Sequence, residues 1–189
     1  HGAVLAVPIS VACAIAGIVV GTIGQTGIGL QFTESVVGLS NGQLWLALLL
    51  VAVAALILGM GLPATAAYIV LSVMTGPALQ ELGLALITAH MVIFWLSQAS
   101  NVTPPIALAA FAGAGVAGAA PMQSAFAAFK LASGLFVIPL MMVYAPLLLG
   151  AEAGWADVLM AGVMTLGLII SIAMLAERYL FAEISPVAA

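Results

Sequence analysis

Residues 44–83 read LWLALLLVAVAALILGMGLPATAAYIVLSVMTGPALQELG, an apolar stretch with a flaw in its middle. One membrane crossing takes about 20 residues, so the stretch is too long for a single span. The flaw is Gly59-Met60-Gly61-Leu62-Pro63. Glycine is a weak helix former and Pro63 has no N–H to donate, so a helix stops here. Two arrangements fit. Either two full spans meet at a tight turn, or two shorter helices enter and leave on one side as a re-entrant hairpin. The break carries no charge, and its polar content is Thr65 plus freed backbone. Such a tip is tolerated at membrane depth only where protein or a hydrated cavity satisfies it.

The next segment, residues 84–118, repeats the theme. LALITAHMVIFWLSQ is followed by Ala-Ser-Asn-Val-Thr-Pro-Pro and then by IALAAFAGAGVAG. Pro104 and Pro105 interrupt the hydrogen-bond ladder and disfavour helix at the residue before each. The two apolar runs are each too short to cross, and together they read as one crossing with an unwound middle. Upstream, residues 1–43 read as a transmembrane helix and a connecting loop. The helix lies within 3–30, with Gly17 and Gly21 spaced for close helix packing and a polar Gly24-Gln25-Thr26-Gly27 near its end. Residues 31–43 form the loop, with an interfacial turn around Val36 and Val37. Downstream, 119–130 contains a short interfacial helix, PMQSAFAAFK. Residues 131–189 hold two further spans, at 131–149 and 155–176, and a tail that leaves the membrane.

Composition agrees with a membrane protein. Of 189 residues 66% are apolar and 4% charged, with net charge −4, and the mean hydropathy is +1.37. A soluble domain runs near 25% charged. A soluble enzyme, a nucleic-acid binder and a disordered chain are excluded. The lone Cys13 can form no intrachain disulfide, and it reads as a small apolar packing residue. The chain starts at His1 and shows no signal peptide, so it reads as the middle or end of something longer. Lys130 and Arg178 are separated by two spans and share a face, cytoplasmic by the positive-inside bias.

The broken segments define the chemistry. Unwound backbone frees carbonyls, and Ser100, Asn101 and Thr103 add neutral oxygens. Paired discontinuous helices are how secondary transporters coordinate Na⁺, a hard cation that prefers oxygen. The half-helices that follow, starting at Ala64 and Ile106, would turn positive ends toward an anionic solute. Proline kinks between packed helices, in a structural or assembly subunit with no ion site, fit the same breaks. His90 lies inside an apolar run with no acid within a helical turn or two, so it reads as neutral and bonded to a helix carbonyl. Proton coupling through His90 is a third possibility. Trp45, Trp95 and Trp155 read as interface or packing residues. Enzyme chemistry finds no footing: there is no HExxH, Asp157 is the only aspartate, Ser100 has no nearby base, and no phosphate-binding glycine loop occurs.

GMGLPATAAYIVLSVMTGPAL and, about twenty residues later, SNVTPPIALAAFAGAGVAGAAPM strongly resemble the large membrane component of TRAP (tripartite ATP-independent periplasmic) transporters. The resemblance runs from about residue 8 to 149, and more loosely through the last span. The Met-Gly-Leu-Pro-x-Thr-Ala-Ala-Tyr form is similar to the TAXI branch, whose permease fuses the small and large membrane subunits. The resemblance implies an all-α integral membrane fold, the second inverted repeat of an elevator-type transporter. Residues 44–83 would be its re-entrant hairpin, opening from the periplasmic side, and 84–118 its broken transmembrane helix. It implies Na⁺-coupled import of an organic acid across the inner membrane of a bacterium or archaeon. Its partners would be a periplasmic substrate-binding protein, the N-terminal remainder of the permease, an anionic solute and membrane lipid. Position by position, Na⁺ would be held by Gly61, Thr65, Asn101 and Thr103, with no other metal. One wall of the substrate site would be Pro63, Ala64, Ser100, Pro104 and Pro105. Two departures stand out: the first repeat is not in this chain, and the family's usual Ile-Thr-Pro-Pro is Asn-Val-Thr-Pro-Pro here.

Overall fold

The computed structural model describes residues 2–59, 62–105, 107–145, 154–177, 179–180 and 182–183. They fall into two compact units, His1–Asn101 and Val102–Ala189. Among the described residues the regular structure is helical apart from one short antiparallel pair, β1 (Tyr179–Leu180) with β2 (Ala182–Glu183). With its apolar composition, this is an all-α membrane protein.

The first unit begins with α1 (Gly2–Thr26) and α2 (Ile28–Ser40), joined at Gly27, whose φ of 71° is the left-handed turn glycine makes cheaply. The chain bends by 73° there. Helix therefore occupies most of 31–43, where a loop is expected. The polar residues that suggest a loop are satisfied inside the helix. Thr33 Oγ1 donates to the Gly29 carbonyl at 3.0 Å and Ser35 Oγ to that of Gln31 at 2.7 Å. Thr33, Val36 and Ser40 form the buried face of α2, and the helix ends at Asn41 and Gly42, both at positive φ.

Next come α3 (Leu44–Leu58), α4 (Ala64–Glu81) and α5 (Leu86–Ala99). At about 1.5 Å per residue, α3 spans roughly 22 Å and α4 roughly 27 Å, short of the ~30 Å hydrocarbon core. Helix α4 is the hub, packed by α1, α2, α3 and α5. Its buried residues include Ala66, Ala67, Gly76 and Ala78, small enough to let four neighbours approach. The helices around it bury Ala47, Val51 and Ala55 of α3, and Ala89, Val92 and Ile93 of α5. A second cluster joins Ala16 and Ile23 of α1 to Ala66, Val70 and Met74 of α4.

Gly17 and Gly21 meet no atom of another described element within 4 Å of where a β-carbon would sit. Gly29 of α2 does, that position being 3.3 Å from Ile23 Cγ2 and 3.6 Å from the Val73 carbonyl oxygen. Val73 stands four residues before Pro77, so its carbonyl is the one that loses its helical N–H.

The second unit holds α6 (Leu108–Ala117), α7 (Pro121–Leu131), a 3₁₀ turn (Ala132–Phe136), α8 (Val137–Tyr144) and α9 (Trp155–Glu177). Helix α7 ends at Leu131, one residue past the expected end of the short helix, and the chain continues without a gap, so that Pro121–Tyr144 forms one 24-residue apolar helical segment. Within it the 3₁₀ turn is tightly packed at Gly134, where an added β-carbon would stand 2.6 Å from Ile169 Cγ2 of α9. Pro121–Tyr144 and Trp155–Ala176 are long and apolar enough to cross a membrane, and the bent pair Ala14–Thr26 with Ile28–Ser40 makes a third candidate. The end of the expected span at 131–149, Glu152 and Arg178 lie outside the described residues.

Candidate functional site

The break in the long apolar stretch has defined edges. Helix α3 ends at Gly59, whose N–H reaches the Ala55 carbonyl at 2.9 Å. Pro63, with φ −58° and ψ 147°, is extended and caps α4. The first helical amide of α4 with an acceptor in its own chain is Ala67, donating to the Pro63 carbonyl at 2.9 Å. The amides of Ala64, Thr65 and Ala66 thus form the first turn, where a helix has no internal acceptor and its dipole is positive. Met60 and Gly61 lie outside the described residues.

Helix α5 ends against this break. A β-carbon at Gly59 would come within 2.8 Å of Ser100 Oγ and 2.9 Å of Ser100 Cβ. Only glycine fits, and the break between α3 and α4 touches the C-terminal end of α5 there. Ser100 is 2% exposed and donates its hydroxyl to the Ser97 carbonyl at 2.8 Å. Asn101 closes the helix end, its amide N–H and its Nδ2 both donating to the Gln98 carbonyl, at 3.1 and 3.4 Å. The chain then runs through half-buried Thr103 and Pro104 to exposed Pro105, across a cis Pro104–Pro105 peptide. Those residues belong to the second unit. Helix α6 starts at Leu108, later than the expected Ile106, which itself lies outside the described residues.

Between α4 and α5, beside the break, is a cavity of about 450 Å³. Its polar lining is Thr65 and Tyr68 from α4 and His90 and Gln98 from α5. Ile87, Met91 and Phe94 supply apolar wall. The Tyr68 hydroxyl stands 2.9 Å from His90 Nδ1. His90 is thus held by a side chain of the neighbouring helix rather than by a helix carbonyl. Tyr68 also meets Phe94 edge-on, ring centroids 6.1 Å apart. Tyr68 and Gln98 escape a reading of the sequence that looks only at the breaks. Their signal is helical spacing: Thr65 and Tyr68 stand three apart, and Ile87, His90, Met91, Phe94 and Gln98 fall on one face of α5.

The donor set around the break consists of neutral oxygens. Among the described residues no group of three or more His, Cys, Asp or Glu could hold a metal ion. Ser100 donates its one O–H to the Ser97 carbonyl, and its oxygen keeps two lone pairs. Hydroxyls and carbonyls suit a hard monovalent cation.

Residues 1–155 match the family model "Tripartite ATP-independent periplasmic transporter, DctM component". The chain belongs to this family. No curated protein and no solved structure matches the chain. A DctM component is the large permease component of a TRAP secondary transporter, not an enzyme. Membership implies a multi-pass membrane protein that works with a periplasmic binding protein and a small membrane component.

Proposed function

We propose that this chain is the C-terminal part of a TAXI-type fused permease in a bacterial or archaeal inner membrane. It imports an organic acid with Na⁺ by elevator movement of a transport domain. The observation that carries this is the contact of Gly59 with Ser100, which sets the break at 59–63 against the end of α5. Two interrupted helices meeting in this way gather freed carbonyls and neutral hydroxyls at one place. Residues 44–83 act as the re-entrant hairpin and 84–118 as the broken helix, while 1–43 lie on the scaffold side and 131–189 supply two C-terminal spans and a tail.

In this reading Na⁺ is held by Thr65, Asn101 and Thr103, with Gly61 at the hairpin tip. The solute meets Pro63, Ala64, Pro104 and Pro105. Ser100, buried against Gly59, backs this wall of the solute site. The first-turn amides of α4 favour an anionic group on the solute. The ion supplies the driving gradient and charge balance, while the side chains and carbonyls shape its site.

The test is uptake by the complete permease in liposomes, with its binding protein, with and without an inward Na⁺ gradient. Uptake that needs both supports the reading. Uptake indifferent to Na⁺ removes the ion site.

A further inference from the structure

Tyr68 and His90 share one hydrogen bond, at 2.9 Å, and the protons left over can be counted. A neutral imidazole carries one N–H and a phenol one O–H. If Tyr68 donates to Nδ1, the remaining hydrogen is on Nε2. If Nδ1 donates to the phenol oxygen, the remaining hydrogen is that of the phenol. Either tautomer keeps one donor for a third party. A protonated imidazole has hydrogens on both ring nitrogens, so Nδ1 must donate to Oη. Two donors then remain, Nε2–H and Oη–H, together with a positive charge. The pair is a weak anion acceptor when neutral and a strong one when protonated.

The surroundings decide which state a ligand selects. No carboxylate and no second cation lines the cavity among the described residues. On α5 itself His90 is the sole titratable group, and α3, which packs on α5, has none. Helix α4 contributes Tyr68 and, at its far end, exposed Glu81. Of the helices packed on α4, α2 brings exposed Glu34 and α1 brings Cys13, whose side chain lies outside the described residues. Among the described residues a charge on His90 therefore has no resident counter-ion, and an entering anion is what stabilises it. Ala64 and Thr65 border the same cavity, so the positive end of α4 adds to the pull.

We infer that the Tyr68–His90 pair is the anion anchor of this cavity, taking up one proton as a carboxylate with a compact apolar flank binds. The proton comes from water, resides on the imidazole while the carboxylate is bound, and returns to water when it leaves. Ile87, Met91 and Phe94 provide the wall for the apolar flank. This deepens the proposed organic-acid import and rests on it for the class of solute.

The experiment is calorimetric binding of 4-methylpentanoate, and of the matched 4-methylpentanamide, to the complete permease in detergent. It is run between about pH 6 and about pH 8.5 in buffers of different ionisation enthalpy, where the carboxylate of the probe stays ionised while imidazoles change charge. The acid should bind at least about tenfold more tightly than the amide, as expected for hydrogen bonds to a charged group. Toward the alkaline end its affinity should fall by up to about tenfold per pH unit, with about one proton taken up per acid bound. His90→Gln keeps a hydrogen-bonding side chain and should lose both the proton uptake and the pH dependence. Tyr68→Phe should keep the proton uptake and bind about tenfold more weakly throughout. Failure of the acid to bind at any pH, equal binding of acid and amide, or undiminished proton uptake in His90→Gln would each overturn the inference. Binding is repeated with Na⁺ replaced by choline. Proton uptake that survives while Na⁺ has no effect defeats Na⁺ coupling alone. A Na⁺ effect without proton uptake defeats the anchor alone.

Discussion

Gly59→Ala separates tight packing from helix propensity, because the two push in opposite directions. Gly59 has φ −79° and ψ −10°, ordinary helical values that alanine adopts without strain. On propensity alone the substitution stabilises, by about 0.5–1 kcal/mol. The new β-carbon, however, would stand 2.6 Å from the Ala55 carbonyl oxygen, 2.8 Å from Ser100 Oγ and 2.9 Å from Ser100 Cβ. One neighbour is backbone, and the other is a buried side chain already bonded to the Ser97 carbonyl. Neither yields cheaply, and forcing a methyl into a packed site costs about 1–3 kcal/mol. The net lies between about 0 and about 2.5 kcal/mol of destabilisation, centred on about 1 kcal/mol, roughly 5- to 10-fold in the folded-to-unfolded ratio. The assay is the fraction of complete permease that stays monodisperse in detergent after graded heating, alongside uptake in liposomes. Ser100→Gly removes two of the three close contacts, so Gly59→Ala/Ser100→Gly should recover part of the loss, with a coupling of about 0.5–3 kcal/mol. Refutation is plain: if Gly59→Ala gains the propensity increment and transports normally, the two breaks do not touch.

Three further substitutions test other parts of the molecule. Thr103→Val exchanges a hydroxyl for a methyl at nearly constant shape, and should raise the Na⁺ concentration for half-maximal uptake by about tenfold, on the scale of a hydrogen bond to a charged group; unchanged Na⁺ activation removes Thr103 from the ion site. Pro63→Ala frees the residue that caps α4 and should lower uptake at normal expression, whereas wild-type uptake would show that the proline serves only to end α3. Gly134→Ala drives a β-carbon to 2.6 Å from Ile169 Cγ2, and should cost about 1–3 kcal/mol in the same heating assay, with no change in Na⁺ dependence.

The apolar runs and their interruptions were legible because proline and glycine act locally. Pro63 and Gly59 bracket the gap between α3 and α4, and Pro104 and Pro105 lie between α5 and α6. Element ends that depend on packing were not. Residues 31–40 carry Gln, Thr, Glu and two serines, which suggest a loop by composition. They are helical because hydroxyls such as Thr33 and Ser35 bond back to carbonyls one turn earlier, and because α3 and α4 bury one face. Lys130 stands one residue before the end of α7, but it does not mark a surface loop. The chain passes straight into a 3₁₀ turn packed on Ile169, a residue 35 places away from Gly134.

The same distinction explains the site. The oxygens of Ser100, Asn101 and Thr103 are conspicuous because they stand together in sequence beside two prolines. Tyr68 and His90 are 22 residues apart, and only the packing of α4 on α5 makes them partners. Read alone, His90 has no acid nearby and looks inert. That missing acid acquires the opposite meaning once Tyr68 is seen to hold one ring nitrogen. A histidine paired with a carboxylate has its charge neutralised from within and little to offer a ligand. A histidine paired with a phenol has no such neutralising partner, so an entering anion meets the pair's donors directly. The residue types therefore favour a site that answers to an anionic solute, and the pH dependence of binding in His90→Gln decides whether this one works that way.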